Sequence, residues 1–282
     1  MRLRPTMTII LCLAVAMAAA GPASPSAEAA SYTRLAAGDG YTCGLTKADR
    51  IVCKGYNRYG QTNVPRGSYR ALDAGPFSLT CGLTTAGRAR CWGSAPSGEK
   101  GVPAGTYTSI AAGNGIVCAM TRAGKVRCWG KAIADKTPRG SFRQISAGDG
   151  VACGLTRAGK IQCWGANRRP RPFTPPGGTF TNLSLQYGYA CAVANGGSVV
   201  CWGDTLPGVT PPPGRFSRVT VGARHACALT SSGKAVCWGD DRGGRTSAPD
   251  TTFTQISAGN SHTCGLTRAG KAVCWGGRRA FL

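Results

Sequence analysis

The sequence predicts an all-β chain folded as a seven-bladed β-propeller, with short, mostly three-stranded blades and one hairpin disulfide per blade. Three observations carry that expectation. Seven cysteines, Cys43, Cys81, Cys118, Cys153, Cys191, Cys227 and Cys264, recur at intervals of 35 to 38 residues, a period typical of repeat architectures. Each is followed ten residues later by a second, at Cys53, Cys91, Cys128, Cys163, Cys201, Cys237 and Cys274. All six tryptophans directly follow a second cysteine, at Trp92, Trp129, Trp164, Trp202, Trp238 and Trp275, and only the first repeat departs, with Lys54 in that place.

The chain opens with Arg2 and Arg4 ahead of an apolar run that ends near Ala20, then small residues to Ala29. Residues 1–29 therefore read as a secretory signal peptide, with Cys12 inside it. Residues 30–282 form a single propeller domain, with blades at about 31–66, 67–104, 105–139, 140–177, 178–213, 214–249 and 250–282. Beyond the leader no stretch is apolar enough to span a membrane. Fourteen cysteines, an even number in an exported chain, make disulfides the default reading. Of 34 Lys+Arg and 11 Asp+Glu, only Arg2, Arg4 and Glu28 fall in the leader, so the positive balance belongs to the domain. With 42% hydrophobic residues, that domain can supply a core and is not a disordered polyelectrolyte.

Within a repeat the first strand is of the type TYTSIAAG (106–113), the second IVCAMT (116–121) and the third KVRCWG (125–130). Three residues join the second strand to the third, and the last of them is Gly87, Gly124, Gly159, Gly197, Gly233 or Gly270. A three-residue hairpin loop favours a left-handed residue there; Asp49, in the first repeat, tolerates that conformation. The loop fixes the register. Centred on Ala158, it sets Cys153 opposite Cys163, and the same spacing holds in every repeat. Directly opposed antiparallel residues are close enough for a disulfide.

Two positions along the same face stand apolar pairs such as Leu155/Ile161 and Val193/Val199. On the other face the tryptophans lie opposite Thr80, Val117, Ala152, Ala190, Ala226 and Thr263, and Gly or Ala follows every first cysteine. Both faces are built for burial, which suits a blade held between two others. Three strands cannot cover two apolar faces by themselves, whereas seven arranged radially can, and a ring leaves few open edges. Pro- and Gly-rich segments such as VPRG and TPRG return the chain to the next inner strand.

The stretches NSHTCGLTRAGKAVCWG (260–276), RHACALTSSGKAVCWGD (224–240) and GYNRYGQTNVP (55–65) resemble the repeat of the regulator of chromosome condensation family. The short period and the leader resemble most its compact bacterial type, exemplified by β-lactamase inhibitory protein II, and the resemblance implies a seven-bladed propeller. It also implies a grip on partners by aromatics three residues ahead of the first cysteine. Here those positions hold Gly40, Ser78, Gly115, Gly150, Gly188, Arg224 and Ser261, so that grip is not reproduced.

Function is expected in binding rather than catalysis, with no cofactor and no metal. His225 and His262 occupy the same place in successive repeats, and no nucleophile, base and acid recur together. With the tryptophans assigned to packing between blades, the aromatics left for a surface are Tyr41, Tyr56, Tyr59, Phe77, Tyr187 and Tyr189, all on one rim. Basic residues gather at the hairpins of the opposite rim: Lys47, Arg50, Arg88, Arg122, Lys125, Arg157, Lys160, Lys234, Arg268 and Lys271. Arg168, Arg169 and Arg171 form a further cluster in a linking loop. Such a positive ring would attract a polyanion, such as an envelope polymer or extracellular nucleic acid. The expectation is a monomeric propeller, secreted or on the exterior of the cell envelope, that binds a protein partner. Inhibition of a secreted enzyme such as a β-lactamase, and cationic binding of an anionic polymer, are the alternatives.

Overall fold

The computed structural model describes residues 31–95, 100–131, 138–165, 173–204 and 210–277. The expected signal peptide and the Arg168, Arg169, Arg171 cluster lie outside them. The described chain is all-β, with twenty-one strands in seven three-stranded antiparallel sheets, each built from consecutive strands in sequence order. In blade four they are Phe142–Ala147, Val151–Thr156 and Ile161–Gly165. The series runs from Tyr32–Ala37 in blade one to Ala272–Gly276 in blade seven, and the seven-bladed propeller is the architecture observed.

The hairpin arithmetic holds. Cys153 faces Cys163, Leu155 faces Ile161 and Trp164 faces Ala152, and all seven blades close their disulfide, from Cys43–Cys53 to Cys264–Cys274, across Cα separations of 4.0–4.1 Å. The last loop residue is left-handed, at φ 77° for Gly124 and 57° for Asp49. Its carbonyl then does a second job. It accepts a hydrogen bond from the backbone N–H of the aromatic residue that opens the next blade, as Gly124 does from Phe142 at 2.8 Å and Asp49 from Tyr69 at 2.7 Å. Seven such bonds circle the molecule, and the one from Tyr32 to Gly270, at 2.8 Å, joins the last blade to the first.

Those opening aromatics, Tyr32, Tyr69, Tyr107, Phe142, Phe180, Phe216 and Phe253, are all buried. Tyr69, Tyr107, Phe142 and Phe253 lie against the tryptophan of their own blade, with 5.6 Å between centroids in Phe142–Trp164 and Phe253–Trp275. The small residue after the first cysteine leaves room for them: a Cβ on Gly154 would sit 2.5 Å from Phe142 Cδ1 and 3.0 Å from Trp164 Cη2.

The core is therefore divided among the gaps between blades. Trp129 and Tyr107 of blade three pack on Cys81, Leu83 and the half-buried Cys91 of blade two. Trp202 of blade five packs on the Cys153–Cys163 disulfide of blade four, and the indole N–H of Trp164 donates to Cys128 Sγ at 3.2 Å. Where blade seven meets blade one, the cluster shrinks to Tyr32, Leu35, Cys264 and Leu266 with half-buried neighbours, because exposed Lys54 replaces the indole.

Around the axis a further set of bonds links neighbours. Ser146, Ser184, Thr220 and Ser257 each accept from a backbone N–H of the following blade at 2.9–3.0 Å, those of Leu185, Val221, Ala258 and Ala37. Blade two uses Asp73 instead, which accepts from the Ala112 N–H at 2.8 Å. Burial pushes the Asp73 carboxyl up to about 6.

Candidate binding surfaces

The second strand runs from one rim of the ring to the other, so the turn before it and the hairpin after it open on opposite sides. On the first rim, the position four residues ahead of the first cysteine holds Asp39, Phe77, Asn114, Asp149, Tyr187, Ala223 and Asn260. Phe77 of blade two and Tyr187 of blade five meet edge to face at 5.2 Å, and the Tyr187 hydroxyl donates to the Pro76 carbonyl at 3.1 Å. Pro76 also lines the narrow axial channel, so this pair reaches across the channel mouth. Tyr187 and Ser78 hold left-handed φ values of 55° and 58°, a conformation that costs a non-glycine residue energy and is retained where surroundings fix it. Burial, then the charges of Asp39 and Asp149, raise the Tyr187 phenol above its ordinary range. Asn260 donates to Asp39 at 2.6 Å and Asn114 to Asp149 at 2.8 Å, tying the turns of adjacent blades together.

Beside the aromatic pair lies a cleft of about 650 Å³ lined by Asp39, Tyr56, Tyr59, Phe77, Ser78 and Asn114, among others. Tyr56, Tyr59 and Phe77 are 43%, 52% and 43% exposed, and they are the exposed large hydrophobic side chains among the described residues. Their loop is rigidly placed. Asn57 Oδ1 accepts from the Thr62 N–H at 3.0 Å and Asn57 Nδ2 donates to Asn63 at 2.8 Å. Gln61, fully buried, donates to Ser78 Oγ at 3.1 Å, while its carbonyl accepts from the Trp92 indole and the Thr80 hydroxyl, both at 2.9 Å. Blade one thus presents two tyrosines on a loop fastened to blade two.

Two aromatics expected to lie open on this rim are buried. Tyr41 is wholly buried, its hydroxyl donating to the Leu79 carbonyl at 2.9 Å and lying 3.0 Å from Thr80 Oγ1. Tyr189 is 4% exposed and packs with Phe216 and Trp238, and burial pushes its phenol up to about 12. Both stand two residues ahead of a first cysteine, and strand alternation turns them toward the disulfide face. His225 and His262 occupy the same position. They too are buried, their Nε2 atoms 2.7 Å from Thr263 Oγ1 and Thr42 Oγ1 of the next blade. Burial drives the His225 imidazole down to about 3, with Arg245 adding to it, and the His262 imidazole to about 4. Both are neutral packing residues.

On the opposite rim every hairpin cation named from the sequence is exposed. Among the described residues Lys234 alone of them forms an ion pair, with Asp250 at 2.7 Å. No group of three or more His, Cys, Asp or Glu side chains placed to hold a metal occurs among the described residues, and no helix there is long and apolar enough to cross a membrane.

The regulator of chromosome condensation (RCC1) repeat matches residues 32–61, 142–169, 216–245 and 253–277, on blades one, four, six and seven. The chain carries RCC1 repeats. Among solved structures this RCC1-repeat propeller is similar to the ectodomain of the Physcomitrella patens receptor kinase CR4, at 26% identity and a TM-score of 0.72, over 88% of this chain and 73% of that one. It is also similar to the CRINKLY WD40 ectodomain of the Arabidopsis thaliana receptor kinase ACR4, at 24% identity and 0.72, over 88% and 98%. Prp20p from Saccharomyces cerevisiae, described together with its binding to Gsp1p and histones, shares the fold at 14% identity and 0.64, over 88% and 82%. No curated protein matches the RCC1-repeat chain in sequence.

Proposed function

We propose that this is a secreted, disulfide-stapled RCC1-repeat propeller that binds another protein through the rim bearing Tyr56, Tyr59 and Phe77. The observation that carries the reading is the cleft itself: three exposed aromatics gathered at one polar-edged depression, on loops already fixed in place. Rigid aromatic side chains beside a pocket are the usual anchors of a protein interface, because they bury much area at little entropic cost. The binding of Gsp1p and histones by Prp20p supports protein recognition as a use of the scaffold, by analogy of fold alone. Seven disulfides suit an oxidising compartment, in keeping with the leader read at residues 1–29.

Inhibition of a secreted enzyme such as a β-lactamase is the narrower form of this reading. Phe77 and Tyr187, one residue earlier than the inhibitor's aromatic position, would supply the grip. The test is capture from the extracellular fraction of the source organism with the wild-type domain and with Tyr59→Ser/Phe77→Ser. A protein held by the first and lost by the second, with the variant folded by circular dichroism, supports the reading. Capture unchanged by the substitutions overturns it. Inhibition assays on a β-lactamase panel test the narrower form.

A further inference from the structure

The hairpin rim is a surface of different character. Seven tips repeat one geometry, and each is tied to the next blade by the same backbone bond of 2.7–2.8 Å. Repetition of one bond at one level sets the tips on a common plane. On blades seven, one, two, three and four, consecutive in the closed ring, those tips carry nine exposed Lys and Arg side chains, Lys47 and Arg157 among them. Blade five has the uncharged loop Asn195–Gly197, and blade six neutralises Lys234 with Asp250. The described carboxylates of the first rim, Asp39, Asp149, Asp204, Asp240 and Asp241, lie at the far end of the strands. Arg58, Arg224, Arg242 and Arg245 stand among those carboxylates and offset them, whereas the five hairpin tips set nine cations against Asp49 alone, so the excess positive charge lies on the hairpin rim. The exposed large hydrophobics also lie at that far end, so the basic rim has nothing to insert into a membrane.

We propose that this rim docks flat, by charge alone, on an anionic phospholipid bilayer. A plane can touch every tip of a coplanar ring together, whereas a straight duplex or a single polymer strand crosses it along a chord and meets only a few. Each basic residue near an anionic membrane surface strengthens binding by about fivefold, and the attraction falls off within a Debye length. An arc of nine gives tight but salt-sensitive attachment with no hydrophobic contribution. This proposal stands apart from the protein-partner reading, because it uses the opposite rim.

The experiment is co-sedimentation of the domain with phosphatidylcholine vesicles and with vesicles in which about one lipid in three is phosphatidylglycerol. Binding to the anionic vesicles alone, abolished near ~1 M sodium chloride, is the expected result. The variant Lys47→Glu/Arg88→Glu/Arg122→Glu/Arg157→Glu should bind at least about a hundredfold more weakly. Tyr59→Ser/Phe77→Ser should bind as the wild type does. If the fourfold variant does not fold, Lys47→Gln and Arg157→Gln serve instead, each expected to cost about fivefold. Equal binding to neutral vesicles, or affinity unmoved by these substitutions, overturns the proposal. So does tighter binding to duplex DNA than to vesicles at matched anionic charge, which would assign the rim to a linear polyanion.

Discussion

Acidification should loosen this ring through His225 and His262. Their folded values, about 3 and about 4, lie below the ordinary imidazole value of 6.5. The unfolded chain therefore takes up protons first, so the stability these groups allow is present above pH 6.5 and is lost as the pH falls toward the folded values. At about pH 5 an unfolded imidazole is protonated and the buried one is not, a cost of about 2 kcal/mol for each histidine at about 1.4 kcal/mol per pH unit. Asp73 acts in the opposite sense, because its folded value of about 6 lies above 3.8. Its burial penalty is relieved as the pH drops through 6, returning about 1.4 kcal/mol by about pH 5. The carboxyls of Asp240, Asp241 and Asp250 are depressed below 3.8 by hydrogen bonds and neighbouring cations, and titrate beneath this window. The net expectation is a loss of roughly 2–3 kcal/mol between about pH 8 and pH 5. Guanidinium unfolding under non-reducing conditions at the two pH values measures it. In His225→Gln/His262→Gln the loss should vanish and the Asp73 gain emerge. The reasoning fails if wild type and variant lose equal stability, or if the two imidazoles titrate near 6.5 by NMR.

Three further outcomes follow from the packing. Lys54→Trp should stabilise the protein by about 1.5–3 kcal/mol, seen as a raised denaturation midpoint, because an indole there would cover the Cys264–Cys274 disulfide at the thin contact between blades seven and one. Gly124→Ala should cost about 1–3 kcal/mol, since φ is 77° and a Cβ would stand 2.6 Å from the Phe142 carbonyl oxygen; at the equivalent left-handed Asp49, substitution by glycine should instead gain up to about 1 kcal/mol. Cys153→Ser/Cys163→Ser should lose up to about 2.7 kcal/mol by the loop-entropy account, and any excess measured by denaturation reports the contact that Trp202 makes with the bridge.

The hairpin half of each blade was legible in the sequence because a glycine turn and two cysteines over-determine one register. Strand alternation also contained the fate of Tyr41, Tyr189, His225 and His262: each stands two residues from a cysteine whose face is buried. Reading Tyr41 and Tyr189 as rim aromatics sets sequence position near a turn above that parity. The opening aromatic of each first strand recurs as regularly as the tryptophan. Its role was hidden because its partners, a neighbour's hairpin carbonyl and, as in blade four, its own blade's indole, are distant in sequence. Contact between Phe77 and Tyr187 could not be read at all, since it joins blades two and five across the axis and depends on the diameter of the ring.

Each bridge in this protein spans ten residues, while the stretch from one bridge to the next is far longer. For every thiol the nearest partner along the chain is thus the correct one. Fourteen cysteines permit a very large number of mispairings, yet oxidation of each hairpin as soon as it forms, before the following blade is present, would reach the native set without reshuffling. Folding of this chain would need an oxidant but little isomerase.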